Sequence, residues 1–300
     1  MALKQVKNKI VSTQKTGQVT KAMESVSAVK MRKSQERAFA GRPYVHAAMR
    51  ILGRLSESQD GLSHPLAQKR EEGKQLLVIV TSDKGLAGAV NSSVLKRATE
   101  AFANNPETDV VAIGRKALDF AKREEKVIVG EYTNVHDEVT LQDVRTITET
   151  IMESFTAGTY ANVAVVYQNF ISTFEQEPFK RQILPLDPQQ IHEIMVDIKP
   201  KKGKFSDNSS EQDVKIAYTV EPSAEEVLNT LIPQLVQIML YHALLESKAS
   251  EHSARMVAMK NATDKSKEVV KALTLVYNKQ RQAAITAEVS EISGGIEAMK

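Results

Sequence analysis

The sequence predicts an α/β protein: a Rossmann-like open α/β domain carried by a long antiparallel coiled coil of the N- and C-terminal helices. Three observations carry this. After Pro233 there is no further proline, and no glycine before Gly294-Gly295. That leaves about sixty residues with nothing to interrupt a helix, on the order of 90 Å at 1.5 Å per residue. Residues 1–41 have the same character, with no proline and one internal glycine, Gly17. Between these ends, short apolar runs alternate with helical patterns, as in a mostly parallel sheet layered with helices.

In chain order, residues 1–58 read as the N-terminal coiled-coil helix. Leu3, Val6, Ile10, Thr13, Gly17 and Thr20 keep a 3–4 spacing, and Ala22, Val26 and Val29 continue a shifted stripe. Thr and Gly at seam positions make this stripe too weak to hold two helices by itself. Gly41-Arg42-Pro43 marks a bend before a second helical pattern over 44–55. Residues 59–74, with Asp60-Gly61, His64-Pro65 and a charge run at 69–72, read as a linker. The α/β domain is expected over 75–220. Leu76-Leu77-Val78-Ile79-Val80 reads as a buried strand. Further strands are expected at 109–113, 126–129, 162–167, 180–184 and 213–220, and helices at 89–103, 115–123 and 141–155. Residues 221–300 form the C-terminal coiled-coil helix. Ser223 is placed as N-cap, Glu225 and Glu226 suit the first turn, and Pro233 removes one helical bond. Along this helix His252, Met256, Met259, Thr263, Ser266, Val270, Leu273 and Tyr277 trace one stripe, with the methionines read as core packing.

Composition narrows the chemistry. Hydrophobic residues make up 42% and charged residues 26%, ordinary for a globular chain, while aromatics at 5% suit thin helix–helix seams. There is no cysteine, which excludes disulfides, thiolate metal sites and thiol nucleophiles. No run of eighteen apolar residues is present, so no membrane span is expected, and the start lacks the apolar core of a secretory signal. The start reads as that of a bacterial-type cytoplasmic chain. The net charge of +3 is uneven: residues 1–42 hold ten basic residues against Glu24 and Glu36. Such a helix is either a solvated basic face or a surface that meets an acidic partner or nucleic acid.

No catalytic constellation emerges. Ser82-Asp83-Lys84-Gly85-Leu86-Ala87-Gly88 follows a strand and precedes a helix. It lacks both Gly-x-Gly-x-x-Gly and the Gly-x-x-x-x-Gly-Lys-Ser/Thr spacing, and reads as a tight turn instead of a phosphate loop. The six histidines form no i, i+4 metal pair, there is no Gly-x-Ser-x-Gly elbow, and no carboxylate pair is singled out. The chain is therefore expected to hold no cofactor and no metal, and not to be an enzyme by itself. The last residues, Val289 to Met299, are small or apolar apart from Glu291 and Glu297, a composition that suits a helix tip seated in a partner.

Several stretches carry a resemblance: Lys7-Asn8-Lys9-Ile10 to Val19-Thr20-Lys21-Ala22-Met23, Ser82-Asp83-Lys84-Gly85-Leu86, Ala254 to Asp264, and Tyr277-Asn278 through Ile285-Thr286 and Glu288 to Glu291-Ile292. In this order, across the whole chain, they resemble the gamma subunit of F-type ATP synthases of bacterial type. The departures are few. Lys84 stands where that family has arginine, Ala87 where cysteine is frequent, Gly295 where alanine is usual and Val220 where an aromatic is common. The cysteine-bearing regulatory insert of plant-type members is absent.

The resemblance implies a central-stalk rotor that couples ion-driven rotation of a membrane c-ring to ATP synthesis or hydrolysis in a ring of alpha and beta subunits. The chemistry then belongs to the ring. The implied partners are alpha, beta, epsilon and the c-ring, with no nucleic acid and no small-molecule substrate. The implied location is peripheral, on the cytoplasmic face of the bacterial membrane. By the same resemblance Met23, Lys21, Lys30, Arg32, Lys33, Arg281, Gln282, Thr286 and Glu288 contact beta, the segment from Val289 turns in an apolar sleeve, and Tyr218 and Glu221 reach the c-ring. The residues alone leave two alternatives: a basic coiled-coil nucleic-acid-binding protein, or a nucleotide-binding enzyme built on 75–200.

Overall fold

A computed structural model of the chain describes residues 3–40, 47, 51, 64–70, 72–186 and 223–299. The expected strand at 213–220, Tyr218, Glu221 and nearly all of the expected helix at 44–55 lie outside these residues. The chain divides into two compact units, residues 1–27 with 255–300 and residues 28–254. Two helices contribute to both: α1 (Leu3–Ala40) and α5 (Ala224–Ala298).

The larger unit is a three-layer α/β arrangement. Its strands are β1 (Lys74–Val80), β2 (Thr108–Ile113), β3 (Ile128–Tyr132), β4 (Tyr160–Phe170) and β5 (Gln176–Leu184), in the order β3-β2-β1-β4-β5. The first four are mutually parallel, and β5 returns antiparallel to β4. Helices α2 (Val90–Asn104), α3 (Arg115–Arg123) and α4 (Leu141–Thr156) make the crossovers. Because side chains alternate along a strand, β1 serves both faces. Leu77 and Ile79 pack with Val94, Ala98, Phe102, Ala117 and Phe120 of α2 and α3. Leu76, Val78 and Val80 pack on the other face with Val144, Ile147 and Ile151 of α4.

That second face holds the main departure from the sequence reading. Leu228, Ile232, Leu235, Val236, Leu240 and Leu244 of α5 belong to the same cluster as β1 and α4. The opening turns of α5 therefore cover the sheet, a role the sequence reading did not give them. Leu66, in a short 3-10 turn (Pro65–Ala67) inside the expected linker, is buried there as well. One helix, over 225–296, holds an eighteen-residue stretch apolar enough on average for a membrane span, although no continuous apolar run is present; 56% of that stretch is buried within the chain, as in the core helix of a globular protein.

Local rules account for the element boundaries. Ser223 caps α5, its hydroxyl accepting from Glu226 N at 3.2 Å, with Glu225 and Glu226 in the first turn. Thr140 and Asp143 form a reciprocal capping box on α4, and the backbone bond from Thr140 holds the Asp143 carboxyl below its usual range. Pro178 does not stop β5, which begins well before the expected residue 180, because β5 is an edge strand and needs no outward donor.

At the N-terminal edge of the sheet, Tyr160 Oη donates to Asp109 Oδ2 at 2.9 Å and Lys74 Nζ lies 3.5 Å from the same oxygen. Arg70 donates to the carbonyls of Phe155 and Tyr160 and lies over the Phe155 ring. Burial, with Asp109 adding to it, pushes the Tyr160 phenol up to about 12. A raised pKa means that the neutral phenol stabilises the fold below the ordinary tyrosine range and that this contribution is lost as pH rises through the folded value. Burial raises the Tyr241 phenol too, so ultraviolet titration should show late-ionising phenols of which Tyr160→Phe removes one; a titration unaltered by the substitution would contradict the assignment.

Candidate functional site

The smaller unit is a seam between α1 and the second half of α5. Thr20 Oγ1 and Thr263 Oγ1 are 2.7 Å apart and buried, and a Cβ on Gly17 would lie 3.2 Å from Ser266 Cβ. The pairing is antiparallel, and steps of three and four along each helix carry the same register to Val6 opposite Tyr277 and Leu3 opposite Gln280. The expected stripe on α5 is the inward one, with Met259 and Thr263 buried and Ser266, Val270, Leu273 and Tyr277 half-buried. The small groups at Thr13, Gly17, Thr263 and Ser266 leave a groove of about 880 Å³, rimmed by Lys21, Lys267 and Lys271.

On α1 the expectation holds as far as Thr20 and then fails. Val26 and Val29 are 54% and 59% exposed, and Ala22 is exposed too. The inward positions are Met23 and Glu24, then Ser27 and, in the larger unit, Met31, Ser34 and Ala38. Steps of three and four from Thr20 lead to these residues; hydrophobicity misleads because the buried positions are serines, each 3% exposed.

Past the register's end, every residue from 281 to 296 is exposed. Arg281, Gln282, Thr286 and Glu288 lie here, together with a stripe of Ile285, Val289, Ile292 and Ile296, each more than half exposed. A contiguous apolar stripe of this kind on a folded chain marks a surface for contact. Lys21 and Arg32 are exposed, Lys21 pairing with Glu24, and Met23 is half-buried. Lys30 and Lys33, expected as partner contacts, are engaged within the larger unit, by Asp137 at 2.5 Å and Glu138 at 3.2 Å. Arg37 joins Glu138 at 2.8 Å. Sequence reading missed Asp137 and Glu138, which sit in no motif. The available signal was a row of cations at 30, 33 and 37 on one helical face, which calls for acidic neighbours.

The turn after β1 is structural. Ser82 N donates to Asn91 Oδ1 at 3.0 Å. The first N–H groups of α3 are taken by the chain itself: Arg115 N by Asp83 Oδ1, Lys116 N by the Ser82 carbonyl and Ala117 N by Thr81 Oγ1. In a doubly wound sheet the ligand crevice opens where strand order reverses, here between the C-terminal ends of β1 and β4. Helix α5 lies across that place. Ser250 Oγ donates to the Gln168 carbonyl at 3.2 Å, Ser253 Oγ to the Thr173 carbonyl at 2.6 Å, and Ala254 faces Gly88. Among the described residues no group of three or more His, Asp or Glu is arranged to hold a metal ion.

Comparison with known proteins gives the same picture over the whole length. The sequence model of the family described as ATP synthase matches residues 2–299. The "ATP synthase gamma chain" of Pelotomaculum thermopropionicum is 37% identical over 300 residues, covering 100% of this chain and 99% of that one. That of Roseiflexus castenholzii is 40% identical over 303 residues, covering 99% and 98%. Among solved structures, a chain of the central stalk and c-ring of the Tetrahymena thermophila mitochondrial ATP synthase superposes with a TM-score of 0.59 at 26% identity, covering 81% of this chain and 99% of that chain.

Proposed function

Because the chain belongs to the ATP synthase gamma-chain family, we propose that it works as the central-stalk rotor of an F-type ATP synthase, and that it is not itself catalytic. The alpha–beta ring carries out the phosphoryl chemistry. The chain presents a different face to each beta subunit as it turns, so that each site favours a different conformation, which is coupling by differential contact. Its other partners are epsilon and the membrane c-ring, and it is peripheral on the cytoplasmic face of a bacterial membrane. Residues 1–58 and 221–300 serve as stalk helices, 59–74 as a linker and 75–220 as the foot.

One observation carries this reading: the exposed α5 segment beyond residue 280, apolar along one stripe and polar at Arg281, Gln282, Thr286 and Glu288. An isolated helix gains nothing from such a stripe, and a surrounding ring would bury it. The beta contacts are Met23, Lys21, Lys30, Arg32, Lys33, Arg281, Gln282, Thr286 and Glu288. Tyr218 and Glu221 face the c-ring. The nucleic-acid alternative loses support because Lys30, Lys33 and Arg37 are already neutralised within the chain.

The test is Arg281→Ala with Gln282→Ala in the assembled synthase. Both side chains are exposed, so the chain should fold as before. Losing one or two polar contacts of about 1 kcal/mol each should lower ATP-driven proton pumping by roughly tenfold. Pumping at the parent rate in a complex that assembles normally would refute these contacts. Failure of the parent chain to co-purify with alpha, beta and epsilon would refute the rotor reading itself.

A further inference from the structure

The segment between β3 and α4, residues 133–140, does more than connect them. Asp137 Oδ2 takes Lys30 Nζ of α1 at 2.5 Å, and Asp137 Oδ1 lies 3.2 Å from His252 Nε2 and 3.9 Å from Lys248 Nζ of α5. Lys248 also donates to the Val135 carbonyl at 3.1 Å and lies 3.8 Å from Glu251. Around this centre Glu138 receives Lys33 and Arg37, Tyr241 reaches the Val139 carbonyl at 3.5 Å, and Gln237 Nε2 donates to the Leu141 carbonyl at 2.8 Å. At its other end the segment meets the sheet, where Asn134 N donates to Asp83 Oδ1, the oxygen that also holds the start of α3.

We infer that Asp137 is a positioning residue, the pin of a polar strap that fixes the α/β layers to both terminal helices so that they turn as one body. This rests on the rotor reading. Van der Waals packing between α5 and the sheet resists separation but resists sliding poorly, since apolar contacts are non-directional. Charge-assisted hydrogen bonds are directional and short, and they resist displacement along the surface as well as away from it. Asp137 is the one side chain of the strap that holds α1 and α5 together. Bonding to the His252 ring, opposed by burial and helped by Lys30, keeps its carboxyl well below the usual carboxylate range, so it stays charged across the working pH.

The chain's lack of cysteine allows a direct test. A single cysteine, at Lys122→Cys on α3 or Asn229→Cys on α5, carries a bead on the assembled alpha–beta–gamma complex held by its ring. Both sites are exposed. Asp137→Asn should widen the angular variance of the bead on α3 by about twofold while leaving the bead on α5 unchanged, at temperatures far below melting, where a merely structural loss would not register. Equal variance in parent and variant at both sites, or equal widening at both, overturns the pin. If Asp137→Asn does not assemble, Lys248→Met, which keeps the buried stem and removes the ammonium, should act in the same direction, and no change there overturns it equally. A parent complex that does not rotate refutes the rotor reading instead and is told apart by that.

Discussion

Gly114→Ala should destabilise the α/β unit by roughly 3–5 kcal/mol, a large part of what holds a domain of this size together. Gly114 precedes α3 at φ 92° and ψ 147°, a region that side chains with a Cβ avoid. A Cβ there would lie 2.1 Å from the Thr81 carbonyl oxygen and 2.8 Å from its carbon, and both belong to backbone that cannot swing aside. Moving Gly114 away would break its own bond to the Tyr132 carbonyl at 2.8 Å and the link from Ala117 N to Thr81 Oγ1 at 2.8 Å. Each hydrogen bond is worth about 1 kcal/mol, and the backbone conformation adds about 1–3 kcal/mol. Gly158→Ala separates the two effects. Gly158 also has positive φ, at 84°, but nothing lies within 4 Å of its would-be Cβ, so only the conformational cost of about 1 kcal/mol should appear. Urea midpoints of the two variants decide it; similar losses for both would mean that the close approach to Thr81 does not matter.

These residues also show what could be read from the sequence. The run 76–80 announces a strand because it is apolar throughout, and it is apolar throughout because helices cover both of its faces. The turn at 82–88 was legible as structural from the spacing of its glycines. What fills the crevice between β1 and β4 was not, since Ser250, Ser253 and Ala254 are about eighty residues or more from Gln168, Thr173 and Gly88, which they meet. The strand β3 begins at Ile128 and not at 126, and β5 runs through Pro178, because position in the sheet overrides local preference. On α1 the period was reliable and hydrophobicity was not, as Ser27 and Ser34 are inside while Val26 and Val29 are outside. Of the expected contact residues, Arg281, Gln282, Thr286 and Glu288 are exposed and lie beyond Gln280, the position that the register set by Thr20 and Thr263 brings opposite Leu3. The charges that claim Lys30 and Lys33 come from a segment about a hundred residues away, beyond any local pattern.

Leu240→Ala should cost about 2–5 kcal/mol, although it lies on a helix that the sequence presents as part of a thin coiled coil. Leu240 is fully buried within the cluster formed by α5, α4 and the sheet. Removing its side chain takes away buried apolar surface and leaves a cavity that the flanking Val236, Ala243 and Leu244, held in one rigid helix, cannot close. Ile292→Ala on the same helix is the matching case. Ile292 is 64% exposed, so in the isolated chain its loss should change stability by no more than about 0.5 kcal/mol. Thermal or urea unfolding of the two variants gives the comparison; equal costs would mean that α5 is uniform along its length and that its first turns are not core. Repeating Ile292→Ala in the assembled complex adds the decisive step. If a surrounding ring buries the stripe of Ile285, Val289, Ile292 and Ile296, a deficit absent from the isolated chain should appear there as weaker association, by up to about tenfold for a partly buried isoleucine. The two ends of α5 then follow one rule of apolar burial, met inside the chain for Leu240 and by other chains for Ile292.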